Sequence, residues 1–220
     1  DAPEQARTAA CAPLSAPAPQ AGKQDGPQRE ALIRLSEAAY RYPQTAHDVL
    51  NDMECTVYAG DFLAVCGANG SGKTTLLKLL CGLYKPTSGS IRLAKGHRAA
   101  LLPQNPAQLF AHDLAADELR EMTARLAPDE AERRLQAVIA DCRLQDLLAR
   151  HPYDMSAGER QRLALAKLLL TEADILLLDE PTKGLDARGK QELAAMLARL
   201  RREGRSIALV THDIEFAAAH

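Results

Sequence analysis

The chain has 220 residues, 46% of them hydrophobic, and a formal net charge of −2. This length and apolar content suffice for one domain with a buried core, and the near balance of charge gives no general attraction to nucleic acid. No run approaches the ~18 consecutive apolar residues of a spanning helix, and the five cysteines show no C-x-x-C spacing, so we predict no membrane span, no disulfide and no zinc site.

Residues 1–30 are rich in Ala, Pro and Gln and carry hardly any large apolar side chain. Such a composition cannot bury enough surface to offset the entropy of ordering. We therefore predict a flexible linker over 1–30 and a folded domain over 31–220. The chain begins with Asp1 instead of Met, which favours a piece cut from a longer protein.

Strand and helix patterns alternate along the folded part. Strands are predicted over 33–40, 56–58, 62–66, 89–93, 99–102, 175–178 and 207–210. Helices are predicted over 74–81, 113–150 with a break at 127–129, 158–170 and 187–202. Continuous apolar strands separated by helices indicate an α/β fold with a parallel sheet covered on both faces, and the first two strands are expected to form an antiparallel layer at its edge.

The stretch from Gly67 to Thr74 matches the phosphate-binding pattern G-x-x-x-x-G-K-[ST] between a predicted strand and a predicted helix. Its glycines allow a turn with inward N–H groups, Lys73 can reach the β- and γ-phosphates, and the Thr74 hydroxyl can coordinate Mg²⁺. A Gly-rich surface turn is the alternative, which the flanking strand and helix disfavour. The stretch therefore predicts nucleoside triphosphate binding, with these residues: Gly67, Asn69, Gly70, Ser71, Gly72, Lys73, Thr74 and Thr75.

Two acids, Asp179 and Glu180, directly follow the apolar run 175–178. Ligands of α/β sheets bind beyond the carboxyl ends of the strands, where the phosphate-binding stretch also lies. Asp179 is suited to hold Mg²⁺, and Glu180 to orient and deprotonate an attacking water. His212 follows the strand 207–210 and is a candidate contact for the γ-phosphate that also steadies Glu180. Taken alone, the acids could be a solvent-exposed strand end and the histidine a structural one.

With these motifs in order, the chain from Tyr40 to His220 resembles the ATP-binding-cassette (ABC) ATPases, a group of phosphate-loop NTPases. The further matches are Gln104 for the glutamine loop, 156–161 (SAGERQ) for the signature motif, 184–186 (GLD) for the loop between two copies, His212 for the switch histidine and Tyr42 for the adenine-stacking ring. The resemblance implies ATP with Mg²⁺ as ligands, contact of Gln104 with the metal and the attacking water, and a small helical signature subdomain over about 107–172. An exposed tyrosine without such a role is the alternative for Tyr42.

The signature motif has a physical basis. The Ser156 hydroxyl and the N–H groups near Gly158 can form an anion site at a helix N-terminus, although Ser156 alone is also simply a good N-cap. In the family this site faces the γ-phosphate held by another subunit, and Asp186 lies in the communicating loop, so the resemblance implies a second cassette in a head-to-tail dimer. Ala157 replaces the usual Gly; if that position needs positive φ or close backbone approach, Ala costs about 1 kcal/mol and weakens this composite site.

Three stretches, 105–110, 181–186 and 212–218, look most like energy-coupling-factor (ECF) transporter ATPases. That resemblance implies import of a vitamin, a vitamin precursor or a transition-metal ion, a transmembrane coupling subunit that docks near the Gln104 loop, a membrane subunit that captures the substrate, and a place at the cytoplasmic face of the membrane. The chain would be the second half of a fused cassette pair, truncated at its C-terminus. The alternatives are another ABC importer ATPase, a soluble cassette ATPase of translation or DNA repair, and a cassette that binds ATP without turnover.

Overall fold

The structure is a computed structural model that describes residues 29–218. The predicted linker over 1–30 therefore lies almost wholly outside the described residues. Seven β-strands occur at these positions: β1 Ala31–Tyr40, β2 Leu50–Tyr58, β3 Phe62–Val65, β4 Ser88–Leu93, β5 Ala99–Leu102, β6 Ile175–Asp179 and β7 Ser206–Val210. Six α-helices occur at these positions: α1 Lys73–Leu80, α2 Ala115–Thr123, α3 Pro128–Asp141, α4 Ala157–Leu170, α5 Ala187–Arg202 and α6 Ile214–Ala218.

The strands form two sheets. β1, β2 and β4 make an antiparallel sheet in the order β2-β1-β4, and the other four make a parallel sheet in the order β3-β7-β6-β5. This confirms the α/β fold with an antiparallel edge layer. Within the described residues, no helix is both long and apolar enough to cross a membrane.

Alternate residues of the central strands enter two different hydrophobic cores. On β6, Ile175 and Leu177 face the core formed with α1 and the antiparallel sheet, whereas Leu176 and Leu178 face the core formed with the later helices. All four are buried. Side chains alternate between the faces of a strand, so these unbroken apolar runs cover both faces of the parallel sheet. The carboxyl ends of its strands are left free at one edge.

The structure corrects some of the predicted boundaries. β2 begins at Leu50, well before the predicted 56. The predicted break at 127–129 is confirmed, since α2 ends at Thr123 and α3 begins at Pro128, but the helix does not continue to 150: α3 ends at Asp141 and only a short 3₁₀ helix follows at Gln145–Leu147. Helix α3 ends because Arg143 adopts a left-handed conformation with φ of 53°, which an α-helix cannot continue. The helix α6 was not predicted. Helices α2, α3 and α4 pack against one another, and the proposed extent of this subdomain, 107–172, stays a prediction.

Candidate functional site

The predicted motifs follow three neighbouring strands of the parallel sheet. The phosphate-binding loop follows β3, Asp179 and Glu180 stand at the end of β6, and His212 follows β7. Val210 of β7 pairs with Val65 on one side and with Asp179 on the other. Since the strands are parallel and in this register, the three motifs meet at one edge of the sheet.

The loop from Cys66 to Gly70 is exposed to solvent, and two glycines give it its shape. Gly70 and Gly72 have φ of 79° and 89°, a left-handed backbone that favours glycine. A Cβ on Gly72 would lie 2.7 Å from Leu50 Cδ2, so a side chain would also collide with the start of β2. The loop leads directly into α1, and the first backbone N–H groups of α1 have no hydrogen-bond partner inside the helix.

Lys73 lies over the loop. Its Nζ donates to the carbonyl oxygens of Gly67 and Ala68, each at 2.8 Å. The Ser71 hydroxyl is buried and has no hydrogen-bond partner among the described residues. A buried hydroxyl without a partner, an ammonium group and free helix amides around one open loop form a set of donors, which is what a polyphosphate requires.

Thr74 and Asp179 join the loop to the strand end. Thr74 Oγ1 donates to Asp179 Oδ2 at 2.7 Å, and Asp179 is only 2% exposed. Burial raises the pKa of Asp179, the adjacent Glu180 carboxylate adds to the rise, and the hydrogen bond from Thr74 opposes it. A buried carboxylate beside a hydroxyl supplies the oxygen ligands that Mg²⁺ prefers, so these two residues fit the predicted metal site.

Glu180 and His212 form a second pair at the same edge. The backbone N–H of His212 donates to Glu180 Oε2 at 3.2 Å, and His212 Nε2 lies 3.0 Å from Glu180 Oε1. Glu180 is buried to 9% exposure and has φ of 52°. Left-handed backbone at a residue other than glycine costs free energy and often marks a functional site. The backbone N–H of Glu180 donates to the carbonyl oxygen of Val210 at 2.8 Å, which holds this conformation.

The predicted adenine-stacking residue, Tyr42, is partly buried. Its hydroxyl lies 2.9 Å from Thr75 Oγ1, and its ring packs edge-on against Tyr40 and Tyr84 with centroid distances of 5.1 and 5.9 Å. Tyr42 is therefore anchored next to the phosphate-binding loop. The Thr75 side chain is occupied by this contact, which leaves its backbone N–H in the first turn of α1 as the group that can face a nucleotide.

Gln104 follows β5, next to β6, but is exposed. Within residues 29–218 its side chain makes no hydrogen bond with Thr74, Asp179 or Glu180. The structure therefore places Gln104 at the correct edge of the sheet without bringing it into contact with the predicted metal ligands.

The signature residues begin helix α4. Ser156 Oγ accepts from the backbone N–H of Glu159 at 3.3 Å, and the Glu159 carboxylate accepts from the backbone N–H of Ser156 at 2.7 Å. This is a capping box, and the bond from Ser156 lowers the pKa of Glu159. Ala157 is the first residue of the helix and has no positive φ, so its methyl group carries no cost from a left-handed backbone.

The second condition for a cost at Ala157, a close approach of the neighbouring backbone, is met. If Gly184, whose φ is 78°, carried a Cβ, that atom would lie 3.2 Å from the Ala157 Cβ. The neighbouring Asp186 caps helix α5 by accepting from the backbone N–H of Gly189 at 2.7 Å. Ser156, Gly158 and Asp186 all line one cleft of about 920 Å³ between α4 and α5.

The predicted ligand-binding residues thus divide into two groups. The loop from Gly67 to Thr75 contributes nothing to the lining of the cleft that contains Ser156, Gly158 and Asp186. Within the described part of the chain, no hydrogen bond or ion pair joins the two groups. A single copy of this chain therefore does not close the signature residues over its own phosphate-binding loop.

Sequence analysis missed two contacts near the predicted site residues. The capping box has a recognisable signal, since Ser156 and Glu159 follow the pattern S-x-x-E before an apolar run. The ion pair between Lys190 and Asp213, with 2.6 Å from Nζ to Oδ2, has no local signal because the partners are separated by β7 and its flanking loops.

Comparison with known proteins agrees with this geometry. A family model described as ABC transporter matches residues 50–183. A Bacillus thuringiensis protein named as an ABC transporter ATP-binding protein is 33% identical over 204 residues, covering 88% of this chain and 37% of its own length. The YkoD protein of Bacillus subtilis, named for HMP/thiamine import, is 33% identical over 215 residues, covering 93% of this chain and 39% of its own length. The chain thus spans well under half the length of these relatives.

The nickel import ATP-binding protein LarO of Lactiplantibacillus plantarum is 36% identical over 203 residues, with 84% of this chain and 83% of LarO covered. Among solved structures, the ATP-binding cassette MJ0796, a dimer bound to ADP and Pi, matches with a TM-score of 0.77 at 22% identity and covers 84% of this chain and 90% of its own. CbiO1 of Clostridium perfringens, part of the transporter complex CbiONQ, matches with a TM-score of 0.74 at 25% identity and covers 85% of this chain and 80% of its own.

Proposed function

Because the chain belongs to the ABC transporter family of ATP-binding proteins, we propose that it binds and hydrolyses ATP to power import of a micronutrient through an ECF-type transporter. The observation that carries the ATPase part is the meeting of Lys73, the Thr74–Asp179 pair and the Glu180–His212 pair at one edge of the parallel sheet. One edge thereby holds a phosphate cradle, a metal-ligand pair and a base with its partner.

In the proposed reaction each of these residues has a separate role. Amides of the loop and the Lys73 ammonium hold the β- and γ-phosphates, and Tyr42 supports the adenine ring. Thr74 and Asp179 would hold Mg²⁺, which supplies charge neutralisation at the phosphates when bound. Glu180 orients a water in line with the γ-phosphate and accepts its proton, while His212 holds the Glu180 carboxylate in place. We also propose that Gln104 contacts the attacking water and the Mg²⁺ ion. Its side chain is exposed and has to move to reach them.

The divided site supports a second cassette as partner. Ser156, Gly158 and Asp186 lie around their own cleft, apart from the loop, and an N-terminal helix end with free amides suits an anion. In a head-to-tail pair each signature group would face the γ-phosphate held by the other cassette. The solved structure of the similar cassette MJ0796 is dimeric.

The proposal that the imported substrate is a micronutrient is supported by the names of related proteins. YkoD is named for HMP/thiamine import, LarO for nickel import, and CbiO1 belongs to an ABC transporter complex. These names, with the ECF-like stretches after Gln104 and around His212, favour an ECF-type importer at the cytoplasmic face of the membrane. A coupling subunit and a substrate-capture subunit in the membrane would complete it.

One surface is suited to receive the coupling subunit. Tyr153 is 60% exposed and Leu114 is 40% exposed, and the Tyr153 hydroxyl lies 3.5 Å from the carbonyl oxygen of Ala107 in the short helix after Gln104. Tyr153 also stands just before the signature cap Ser156. A partner that covers these apolar groups would touch both the Gln104 loop and the start of α4.

The ATPase proposal is tested with two substitutions in the purified chain. Lys73→Ala should abolish most affinity for Mg-ATP, whereas Lys95→Ala, in the exposed turn after β4, should retain it. Glu180→Gln should bind ATP normally and lower hydrolysis by about 10²–10⁴, the usual contribution of a general base. Glu203→Gln, at the far end of α5, is the matched control. Undiminished turnover in Glu180→Gln would refute the role of this carboxylate.

The transport proposal is tested in cells. A strain whose gene carries Glu180→Gln should lose uptake of one micronutrient among labelled vitamins, vitamin precursors and transition-metal ions. Tyr153→Ser should lose the same uptake while the purified chain keeps its ATPase activity. Unchanged uptake of every compound by the Glu180→Gln strain would refute micronutrient import and leave the ATPase proposal intact.

A further inference from the structure

An ion pair connects helix α5 to the loop that carries His212. Lys190 Nζ lies 2.6 Å from Asp213 Oδ2, and Lys190 is partly exposed. Exposed ion pairs contribute little to the stability of a fold. The main effect of the pair is therefore to fix the position of Asp213, and its contribution to the free energy of unfolding is small.

Asp213 organises the segment around His212. Its Oδ1 accepts from the backbone N–H of Phe216 at 3.0 Å, and its own N–H donates to Thr211 Oγ1, also at 3.0 Å. Thr211 is fully buried and contacts Thr182, which follows Glu180 by two residues. The residues on both sides of His212 are thereby held, and Lys190 connects this group to α5.

Lys190 also lies one helical turn after residues 184–186, the loop that the family resemblance places between two cassettes. Its backbone N–H donates to the carbonyl oxygen of Asp186 at 3.0 Å, and the Asp186 side chain caps this first turn through Gly189. A displacement of the 184–186 loop would move the start of α5 and Lys190 with it. The hydrogen bond from the Lys190 ammonium also lowers the pKa of Asp213.

We infer that Lys190 is a positioning residue for ATP hydrolysis: its ion pair with Asp213 sets His212 against Glu180 and couples that placement to the 184–186 loop. The inference rests on the proposed function, since it assigns Lys190 to the same reaction. Within the part of the chain that the structure describes, Lys190 makes no hydrogen bond or ion pair with the phosphate-binding loop. Its loss should therefore slow hydrolysis and leave ATP affinity unchanged.

The first experiment measures ATP hydrolysis and binding in a set of variants. Lys190→Met should lower kcat by about tenfold to a hundredfold, the effect of misplacing a catalytic group by up to about 1 Å, with the Kd for Mg-ATP unchanged. Lys190→Arg should restore most of kcat because it keeps the charge. Gln191→Met is the matched control, since Gln191 is the exposed neighbour of Lys190 on the same helix and does not line the cleft that contains Ser156 and Asp186.

A double-mutant cycle separates positioning from general damage. Asp213→Asn retains an oxygen to cap α6 but loses the charge, so it should resemble Lys190→Met, and the two together should be no slower than either alone. Multiplicative losses in the double variant, or wild-type kcat in Lys190→Met, would overturn the inference.

Amide hydrogen exchange gives a readout that does not depend on turnover. Lys190→Met should speed exchange in the segment 211–217, whereas Gln191→Met should not. Unaltered exchange in Lys190→Met would overturn the inference even in a chain that proves inactive. The proposed function fails separately, through the behaviour of Lys73→Ala and Glu180→Gln.

Discussion

Thr74 Oγ1 donates to Asp179 Oδ2 at 2.7 Å, across 105 positions of the chain. The bond connects the first turn of α1 to the end of β6 and brings together the two oxygen atoms that we propose as Mg²⁺ ligands. It is the contact that converts two separate sequence motifs into one site.

Thr74→Val should weaken the binding of Mg-ATP while leaving binding of metal-free ATP nearly unchanged. Valine keeps the shape of threonine and removes only the hydroxyl that bonds Asp179 and would coordinate Mg²⁺. Titration with a fluorescent ATP analogue in Mg²⁺ and in EDTA measures both affinities. Thr56→Val, on β2 of the antiparallel sheet opposite Arg34, serves as control, and equal losses in Mg²⁺ and in EDTA would contradict the assignment.

Asp179→Asn should stabilise the metal-free chain at neutral pH. Burial raises the pKa of Asp179 above its ordinary value of 3.8, so the folded state disfavours the ionised form. The wild type therefore loses stability as pH rises from the pKa of Asp179 in the unfolded chain to its higher pKa in the folded chain. Asparagine does not ionise, so the variant shows no such loss. Urea unfolding in EDTA from about pH 4 to about pH 8 should show the advantage of the variant growing with pH and then levelling off. A constant difference across this range would show that burial of the carboxylate is not the cause.

Gly184→Ala should destabilise the chain by about 1–2 kcal/mol for its left-handed φ, with a further cost from the approach to Ala157. Gly204→Ala is the matched control, because Gly204 also has a positive φ but nothing lies within 4 Å of the position that its Cβ would take. The difference between the two variants in urea unfolding measures the contact alone. Adding Ala157→Gly to Gly184→Ala should remove that difference; if it does not, the two residues do not constrain each other.

Lys167→Met should cost about 3–5 kcal/mol, because it leaves the Glu118 carboxylate buried without its counter-ion, with only the backbone N–H groups of Ala111 and His112 donating to it. Lys167 Nζ bonds Glu118 Oε2 and donates to the carbonyl oxygen of Leu109 at 2.7 Å, and Glu118 is 0% exposed. The pair thus joins α4 to α2 and to the segment after the Gln104 loop. Lys167→Met with Glu118→Gln should recover part of the loss, since the charge is then gone. Equal instability of the single and double variants, measured by urea unfolding, would show that the unpaired charge is not the cause.

Local patterns predicted most of the fold. The predicted bounds of β6 and β7 agree with the structure within one residue, because a strand buried on both faces needs an unbroken apolar run. The predicted bounds of the edge strand β5 and of helix α5 also match the structure. The end of α3 was missed because Arg143 breaks the helix in a left-handed conformation that its residue type does not suggest.

A local pattern suffices to predict a phosphate-binding loop, because the eight residues from Gly67 to Thr74 are consecutive and the Lys73 ammonium bonds carbonyl oxygens of the same loop. Which motifs touch was decided only by the tertiary structure. The parallel register of β3, β7 and β6 brings Thr74 to Asp179 and Glu180 to His212, while packing of α4 against α5 places Ser156 in a different cleft. Backbone turns depend on neighbours along the chain, whereas strand order and helix packing depend on apolar contacts between residues far apart, and no local pattern carries that information.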